Sequence, residues 1–249
     1  MGSRLLSFRG QDGPTEFTGL AREEVFRKRM VLTKEEINRK LLHIFSGTLI
    51  PAGIFYIPLL EDYSSLTPVV VLLFLTLGSF FLEFLRFHNA TVQMLFGRLG
   101  SGVLRSSEKK EMTGATYIFA SAFICSVIFY QDPQISFIAL SLFILGDAVA
   151  AIVGIRFGRI KIGKKSLEGS AACFLLGLFL FFFVYPHLPL LLDRWNGTVP
   201  VPLILIASFA NTFFELFPIR LGKNLTINDN LSVPLITGMV MLICQPLFA

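Results

Sequence analysis

The chain has few of the residues that build metal centres or disulfide frameworks. Only three cysteines (Cys125, Cys173 and Cys244) and three histidines occur. The cysteines lie inside apolar runs without metal-ligand spacing, and the histidines are scattered along the chain. The sequence therefore predicts neither a zinc site nor a disulfide, and the cysteines are expected to be packing residues.

The pattern of a cleavable signal peptide is also missing. The first 40 residues are polar and basic and contain no apolar core segment, so targeting is expected to come from the first membrane helix. A change of pattern follows at Thr33, where Thr33 and Glu36 form a capping box that predicts a helix start. We expect a mobile basic tail over residues 1–32 and a single transmembrane catalytic domain over residues 33–249.

Charged residues are scarce, at 16% of the chain, whereas hydrophobic residues make up 53% and include 27 Phe. The mean hydropathy of +0.68 lies outside the range of soluble domains. Backbone groups in lipid must be satisfied within helices or closed barrels, and the apolar runs are too long for barrel strands. The sequence predicts an all-α polytopic membrane protein with about seven transmembrane helices. The runs cover roughly 41–60, 68–88, 113–130, 134–154, 170–192, 199–216 and 231–248.

The distribution of Lys and Arg predicts the orientation. Of the 22 such residues, all but Arg194 fall in alternate segments between the predicted helices, beginning with the N-terminal one. The positive-inside rule then places the N-terminus in the cytoplasm and the C-terminus outside. The net charge of +5 reflects this topology, and it gives no argument for a nucleic-acid partner.

The stretch from Leu145 to Ser170 combines an acid in an apolar run with a basic, glycine-rich exit. An ionised Asp147 there is costly unless it faces protein, water or a cation, and such acids are often functional. Two structural interpretations stay open: small residues every four positions are typical of helix packing, and Lys164 and Lys165 can anchor a helix at the membrane surface. A P-loop is excluded, because Lys165 stands where Ser or Thr is required and a helix precedes the loop.

Further polar residues fall near the same predicted surface. Lysines and arginines beside carboxylates suit a nucleotide and its Mg²⁺, and phosphoryl transfer requires mainly positioning and charge neutralisation. A membrane-dissolved alcohol is the natural acceptor at lipid depth. The residues that form this predicted cluster are Arg39, Lys40, Asp147, Lys164, Lys165, Glu215, Asp229 and Asn230.

The loop from Phe87 to Met112 is expected to include a short interfacial helix. Glu83 and Arg86, three residues apart at the end of the second apolar run, predict an internal ion pair. The Thr113–Gly114 turn offers backbone N–H groups that could bind an anion.

Four segments of the chain resemble the CTP-dependent lipid kinases that include dolichol kinase, phytol kinase and CTP-dependent diacylglycerol kinase, which are grouped loosely with phosphatidate cytidylyltransferases. The resemblance implies CTP as phosphoryl donor, a divalent cation, and functional roles for Arg39, Lys40, Asp147 and Gly154. The segments are Asn38–His43, Gly146–Ala148 with Gly154 and Gly158, Lys165–Ser170, and Glu215 followed by Asp229–Pro234.

These observations together predict the roles of the site residues, although the sequence does not show which acid is the base. The catalytic set is Asp147, Lys165, Glu168 and Asp229, and the Mg²⁺ ligands are Asp147, Asp229 and Glu215. The nucleotide-binding set is Arg39, Lys40, Gly154, Gly158, Lys164, Ser166 and Asn230.

The predicted activity is phosphorylation of a lipid alcohol (dolichol or another polyprenol, phytol, or diacylglycerol) at the cytoplasmic leaflet. The membrane would be a bacterial inner membrane, or that of the endoplasmic reticulum or a plastid in a eukaryote. A phosphatidate cytidylyltransferase is the alternative, but its histidine-glycine-glycine signature is missing from Phe217 to Pro234. An ion-coupled transporter is less favoured, because the acids lie near one surface and no internal repeat is detected.

Overall fold

The computed structural model describes residues 34–99, 111–222 and 225–248, and in these ranges the chain is built almost entirely of helices. The helix Leu167–Phe179 continues as a π-helical turn, Leu180–Val184, and a 3₁₀ turn, Tyr185–His187. Further 3₁₀ turns are Ile57–Leu59, Asp193–Trp195 and Gln245–Leu247. The helices are α1 Lys34–Tyr56, α2 Thr67–His88, α3 Ala90–Leu99, α4 Gly114–Ile128, α5 Pro133–Arg156, α6 Leu167–Phe179, α7 Val201–Leu216 and α8 Asp229–Cys244.

The predicted all-α membrane class is confirmed. Each of the seven apolar runs coincides with a helix, and the short α3 is the extra helix expected between the second and third runs. Within the described ranges, four segments are long and apolar enough to cross a bilayer: Thr67–His88, Pro133–Arg156, Leu167–His187 and Asp229–Leu247. Three apolar helices are shorter, namely Gly47–Leu59, Gly114–Ile128 and Val201–Leu216, so the number of crossings stays a prediction.

Helix α5 lies at the centre of the bundle and packs against α1, α6 and α8. Its sequence is apolar on all sides, which is typical of a helix enclosed by others. The structure agrees, because 61% of the most apolar stretch of α5 is buried, whereas only 22% of the corresponding stretch of α2 is buried. Ile135, Ile138 and Ile144 are completely enclosed, whereas Phe74 and Phe81 of α2 are exposed for contact with lipid. A polar residue on α5, such as Asp147, therefore lies on the helix with the largest buried share among the four long apolar segments.

The cysteines behave as predicted. Cys125 and Cys173 are buried, Cys244 is half-buried, and all three are free thiols. Cys125 belongs to the main apolar cluster, between α4 and its neighbours.

Two small antiparallel hairpins connect the last four helices. The strands β1 (Lys161–Ile162) and β2 (Lys165–Ser166) pair between α5 and α6, and β3 (Arg220–Leu221) and β4 (Leu225–Thr226) pair between α7 and α8. Each hairpin contains a glycine in the left-handed region, Gly163 at φ +61° and Gly222 at φ +77°, a conformation that glycine adopts without steric cost.

The two hairpins share a short sequence pattern but differ in register, because Lys161 pairs with Ser166 whereas Arg220 pairs with Thr226. Residues 160–164 read IKIGK and residues 219–223 read IRLGK. Each hairpin is closed by the same kind of backbone bond, from Leu167 N to Ile160 O at 3.0 Å and from Ile227 N to Ile219 O at 2.9 Å. Both hairpins lie at the same end of the bundle, where Lys165 of the first contacts Glu215 and Asp229 on either side of the second.

The opposite end of the bundle carries its own ion pair. Arg194 contacts Asp132, the residue before α5, at 2.9 Å. Asp132 is 6% exposed, so this acid is buried at the end of α5 that lies farthest from the hairpins. The pair offers a natural control for the charges described below.

Candidate active site

Lys165 lies between two carboxylates that come from distant parts of the chain. Its Nζ is 2.7 Å from Glu215 Oε1 and 3.0 Å from Asp229 Oδ2, and it also donates to the backbone carbonyl of Glu215. Burial of the lysine acts to lower its pKa, but the negative charges of Asp229 and Glu215 outweigh burial, and the pKa of Lys165 lies above its ordinary value. The ammonium group is therefore charged at neutral pH.

The positions of the two hairpins explain why these three residues meet. Lys165 begins β2 of the first hairpin, Glu215 lies in the last turn of α7, and Asp229 begins α8, so the lysine bridges both helices that flank the second hairpin. An acid at the first position of a helix is stabilised by the helix dipole, and Asn228 caps α8 by accepting a bond from Asn230 N at 3.0 Å. The negative end of α7 at Glu215 is compensated by the Lys165 ammonium.

A second ion pair joins α1 to α5. Lys40 Nζ is 2.5 Å from Asp147 Oδ2 and also donates to the Asp147 carbonyl at 3.4 Å. The Lys40 side chain is 6% exposed and that of Asp147 is 23% exposed, so the acid borders the surface while its partner is enclosed. The Arg39 side chain lies outside the part of the chain whose side chains are described, and its predicted role stays a prediction.

The two pairs belong to one electrostatic cluster. Glu215 is close enough to Asp147 and to Asp229 for both negative charges to act on it. Three acids and two lysines from α1, α5, β2, α7 and α8 are thus brought together, as the sequence predicted for Lys40, Asp147, Lys165, Glu215 and Asp229. Their pairings were not predicted.

The glycines of the motif pack around Ser166. Ser166 is buried, and its Oγ caps α6 by accepting a bond from Gly169 N at 3.2 Å. A Cβ placed on Gly154 or on Gly158 would lie 2.7 Å from that Oγ. The packing interpretation of the small residues is therefore supported, and nucleotide contacts by Gly154, Gly158 and Ser166 stay a prediction.

We expect Gly158→Ala to destabilise the protein strongly, by about 2 kcal/mol or more. The new Cβ would lie 2.3 Å from the Gly154 carbonyl oxygen, and backbone atoms cannot move aside cheaply. Thermal unfolding in detergent measures the effect. Gly78→Ala is the matched control: this helical glycine has nothing within 4 Å of its Cβ position, so alanine should be neutral or stabilising there. Equal melting temperatures for the two variants would contradict the packing argument.

The Glu168 carboxylate stabilises the turn between α5 and β1. Its Oε1 accepts bonds from the backbone N–H groups of Arg159 at 2.9 Å and Ile160 at 3.1 Å. Lys161, which the sequence analysis did not single out, donates to the Gly154 carbonyl at 3.0 Å and so closes the end of α5. Lys164 is exposed at the tip of the hairpin. The structure thus gives Glu168 a supporting contact, and its catalytic role stays a prediction.

Asn230 faces α4. Its side-chain Nδ2 donates to the Gly114 carbonyl at 3.1 Å, which ties the first turn of α8 to that of α4. The preceding Thr113 N–H donates to Glu83 Oε1 at 2.7 Å. The anion at the Thr113–Gly114 turn is therefore the protein's own carboxylate, and the predicted ion pair between Glu83 and Arg86 is confirmed at 2.5 Å.

The carboxylates at Lys165 are the candidate ligands for the predicted magnesium ion. Across the described ranges, no group of three or more His, Cys, Asp and Glu residues has the arrangement of a complete metal site. Mg²⁺, however, is usually held by one or two carboxylates together with substrate phosphates and water. Glu215 Oε2 is buried without a hydrogen-bond partner, and Asp229 is its neighbour across Lys165. These two residues are the best candidates for the ion, while Asp147 as a ligand stays a prediction.

Comparison with known proteins identifies relatives that match most of the chain. The chain is 30% identical over 227 residues to a probable chloroplastic phytol kinase of Triticum aestivum, covering 84% of this chain and 67% of the relative. It is 27% identical over 228 residues to the chloroplastic phytol kinase 1 of Arabidopsis thaliana, with 86% and 68% covered.

A bacterial relative is shorter. An uncharacterised protein of Rickettsia prowazekii is 28% identical over 204 residues, which cover 80% of this chain and 90% of the relative. The chain matches no protein-family profile and no solved structure. Because the wheat protein is matched at this identity over two thirds of its length, the resemblance found in the sequence is confirmed, and the chain belongs to the phytol kinase family.

Proposed function

We propose that the protein is a CTP-dependent lipid kinase that transfers the γ-phosphoryl group of CTP to the hydroxyl of a membrane lipid alcohol on the cytoplasmic side of the membrane. The observation that carries the proposal is the contact of Lys165 with Glu215 and Asp229 at the hairpin end of the bundle. A cation between two acids, next to a second Lys–Asp pair, is a suitable place for phosphate groups and their metal.

The reaction requires few covalent events. The alcohol oxygen forms a bond to the γ-phosphorus, the bond from that phosphorus to its bridging oxygen breaks, and CDP leaves. The hydroxyl proton is released at the same time. Asp147 borders the surface of the cluster and is held in place by Lys40, so we assign it to orienting the hydroxyl and accepting this proton.

The basic residues stabilise the negative charge of the phosphates. Lys165 contributes a fixed charge inside the cluster, and Lys164 and Arg39 contribute charge from the hairpin tip and from α1. The chemistry that Mg²⁺ would supply when bound is further neutralisation of the phosphate charge. Glu215 and Asp229 would hold the ion, and Asn230 and Glu168 would keep the first turn of α8 and the turn after α5 in position.

The acceptor reaches the site through the bilayer. Helices α1 and α7 expose large apolar side chains near their hairpin ends, among them Phe45, Phe213 and Phe217, which suit contact with an acyl or isoprenoid chain. Two of the relatives described above are named phytol kinases. Phytol is therefore the first acceptor to test, ahead of dolichol and diacylglycerol.

The test is an assay of the purified protein in liposomes with phytol, Mg²⁺ and γ-labelled CTP. We expect label in a lipid-soluble monophosphate, with less transfer from γ-labelled ATP. If α-labelled CTP instead delivers its label to lipid when phosphatidate is supplied, the protein is a cytidylyltransferase and the kinase proposal is wrong.

A further inference from the structure

A buried ion pair lies on α2, outside the cluster that the proposed function uses. Glu83 and Arg86 are 5% and 4% exposed, and Arg86 Nε donates to Glu83 Oε2 at 2.7 Å. Burying two charges costs free energy that their attraction alone often does not offset. Further hydrogen bonds must therefore offset the cost of burying this pair, and the partners in these bonds show which part of the chain the pair positions.

Polar partners of this pair lie in the first turn of α4 and in the residues just before it. Glu83 Oε1 accepts from Thr113 N at 2.7 Å and from Thr116 Oγ1 at 3.3 Å, and Arg86 Nη2 donates to the Glu111 carbonyl at 2.7 Å. The carboxylate thus caps α4 at its positive end, where a negative charge is stabilised. Residues 111–116 are fixed by one ion pair on a neighbouring helix.

The start of α4 in turn holds the start of α8. The Gly114 carbonyl accepts from Asn230 Nδ2 at 3.1 Å, and the neighbouring Asp229 contacts Lys165 Nζ at 3.0 Å. A continuous series of polar contacts therefore runs from Arg86 and Glu83 through the first turn of α4 to the Lys165 cluster.

We propose that Glu83 and Arg86 are positioning residues for the Lys165 cluster: by fixing the first turn of α4, they hold Asn230 and Asp229 where Lys165 and the phosphates meet. The kinetic consequence of this inference rests on the proposed function. Its structural consequence is the order of the first turn of α8, and this consequence is independent of the proposed function.

Hydrogen–deuterium exchange of the full chain in detergent tests the structural consequence. Glu83→Gln removes the charge that caps α4, and we expect exchange in residues 227–233 to become about fivefold faster, the factor that corresponds to one lost hydrogen bond. Arg86→Lys keeps the charge but loses the guanidinium contact to Glu111, and it serves if the first variant does not fold. Asp132→Asn, which breaks the ion pair at the opposite end, should leave exchange in 227–233 unchanged. Unaltered exchange there in both the Glu83 and Arg86 variants would overturn the inference.

Kinetics test the link to the cluster. In the liposome assay, Glu83→Gln should raise KM for CTP about fivefold and leave KM for phytol unchanged. Asn230→Ala cuts the series of contacts at its other end, so adding Glu83→Gln to it should change KM for CTP less than twofold further. Additive effects would overturn the inference. A wild-type protein that transfers no label would refute the proposed function alone, since the exchange measurements still decide the positioning role.

Discussion

Lys165→Gln is expected to lower kcat/KM for CTP by about 100-fold or more, the scale for removing one charge that stabilises a phosphoryl-transfer transition state. Glutamine keeps much of the length of lysine but leaves Glu215 and Asp229 facing each other without a cation. Lys165→Arg should keep roughly a tenth of the activity, because it restores the charge with a bulkier group. The measurement is initial rates in liposomes at several CTP concentrations.

Arg159→Gln is the control for this prediction, because Arg159 is an exposed cation near the same hairpin and its side chain has no role in the proposed site. Its kcat/KM should stay within about twofold of wild type.

The raised pKa of Lys165 has a further consequence: the lysine's contribution is complete below the ordinary lysine pKa and is lost only as pH rises through the raised value. Between pH 6 and 9 the defect of Lys165→Gln should therefore be constant. Activity close to that of wild type in both the Gln and the Arg variant would contradict the proposed role of Lys165.

The helices of this protein could be predicted closely from the sequence. The run predicted at 134–154 is the helix Pro133–Arg156, and the capping box at Thr33 precedes a helix that begins at Lys34. Long apolar runs carry a strong signal, because lipid requires helices of a minimum length. The hairpins were missed because strands of two residues have no periodicity. That Gly163 and Gly222 adopt the left-handed conformation is likewise visible only in the structure.

The residues of the site could be predicted, but their partners could not. Charge in an apolar context indicated Asp147 and Lys165, since such residues are costly without a function. The pairing of Lys40 with Asp147 joins residues 107 positions apart, and no local pattern encodes such a contact. Local contacts can be equally hard to predict. Glu168 contacts Arg159 and Ile160, which are close to it in sequence, but these contacts depend on the geometry of a turn. The link from Glu83 to Asn230 crosses three helices and could be found only in the structure.

Asp147→Asn is expected to reduce turnover by about 100-fold or more while CTP still binds, because the amide can neither accept the hydroxyl proton nor carry the charge that orients it. The structure adds a cost that the sequence did not predict. Lys40 is 5% exposed, and without the carboxylate its buried charge has lost its ion-pair partner, which should destabilise the protein by about 3 kcal/mol. Thermal unfolding and steady-state kinetics must therefore be measured on the same samples.

A second variant separates the loss of stability from the loss of chemistry. In Lys40→Met/Asp147→Asn both charges are gone, so the melting temperature should return most of the way to that of wild type. Turnover should stay as low as in Asp147→Asn, because the missing carboxylate is needed for the reaction. Asp132→Asn breaks the ion pair at the opposite end of α5 and should lower stability without lowering turnover of the folded protein. If the double variant regains activity together with stability, the pair of Lys40 and Asp147 is structural, and the proton acceptor must be sought at Glu215 or Asp229.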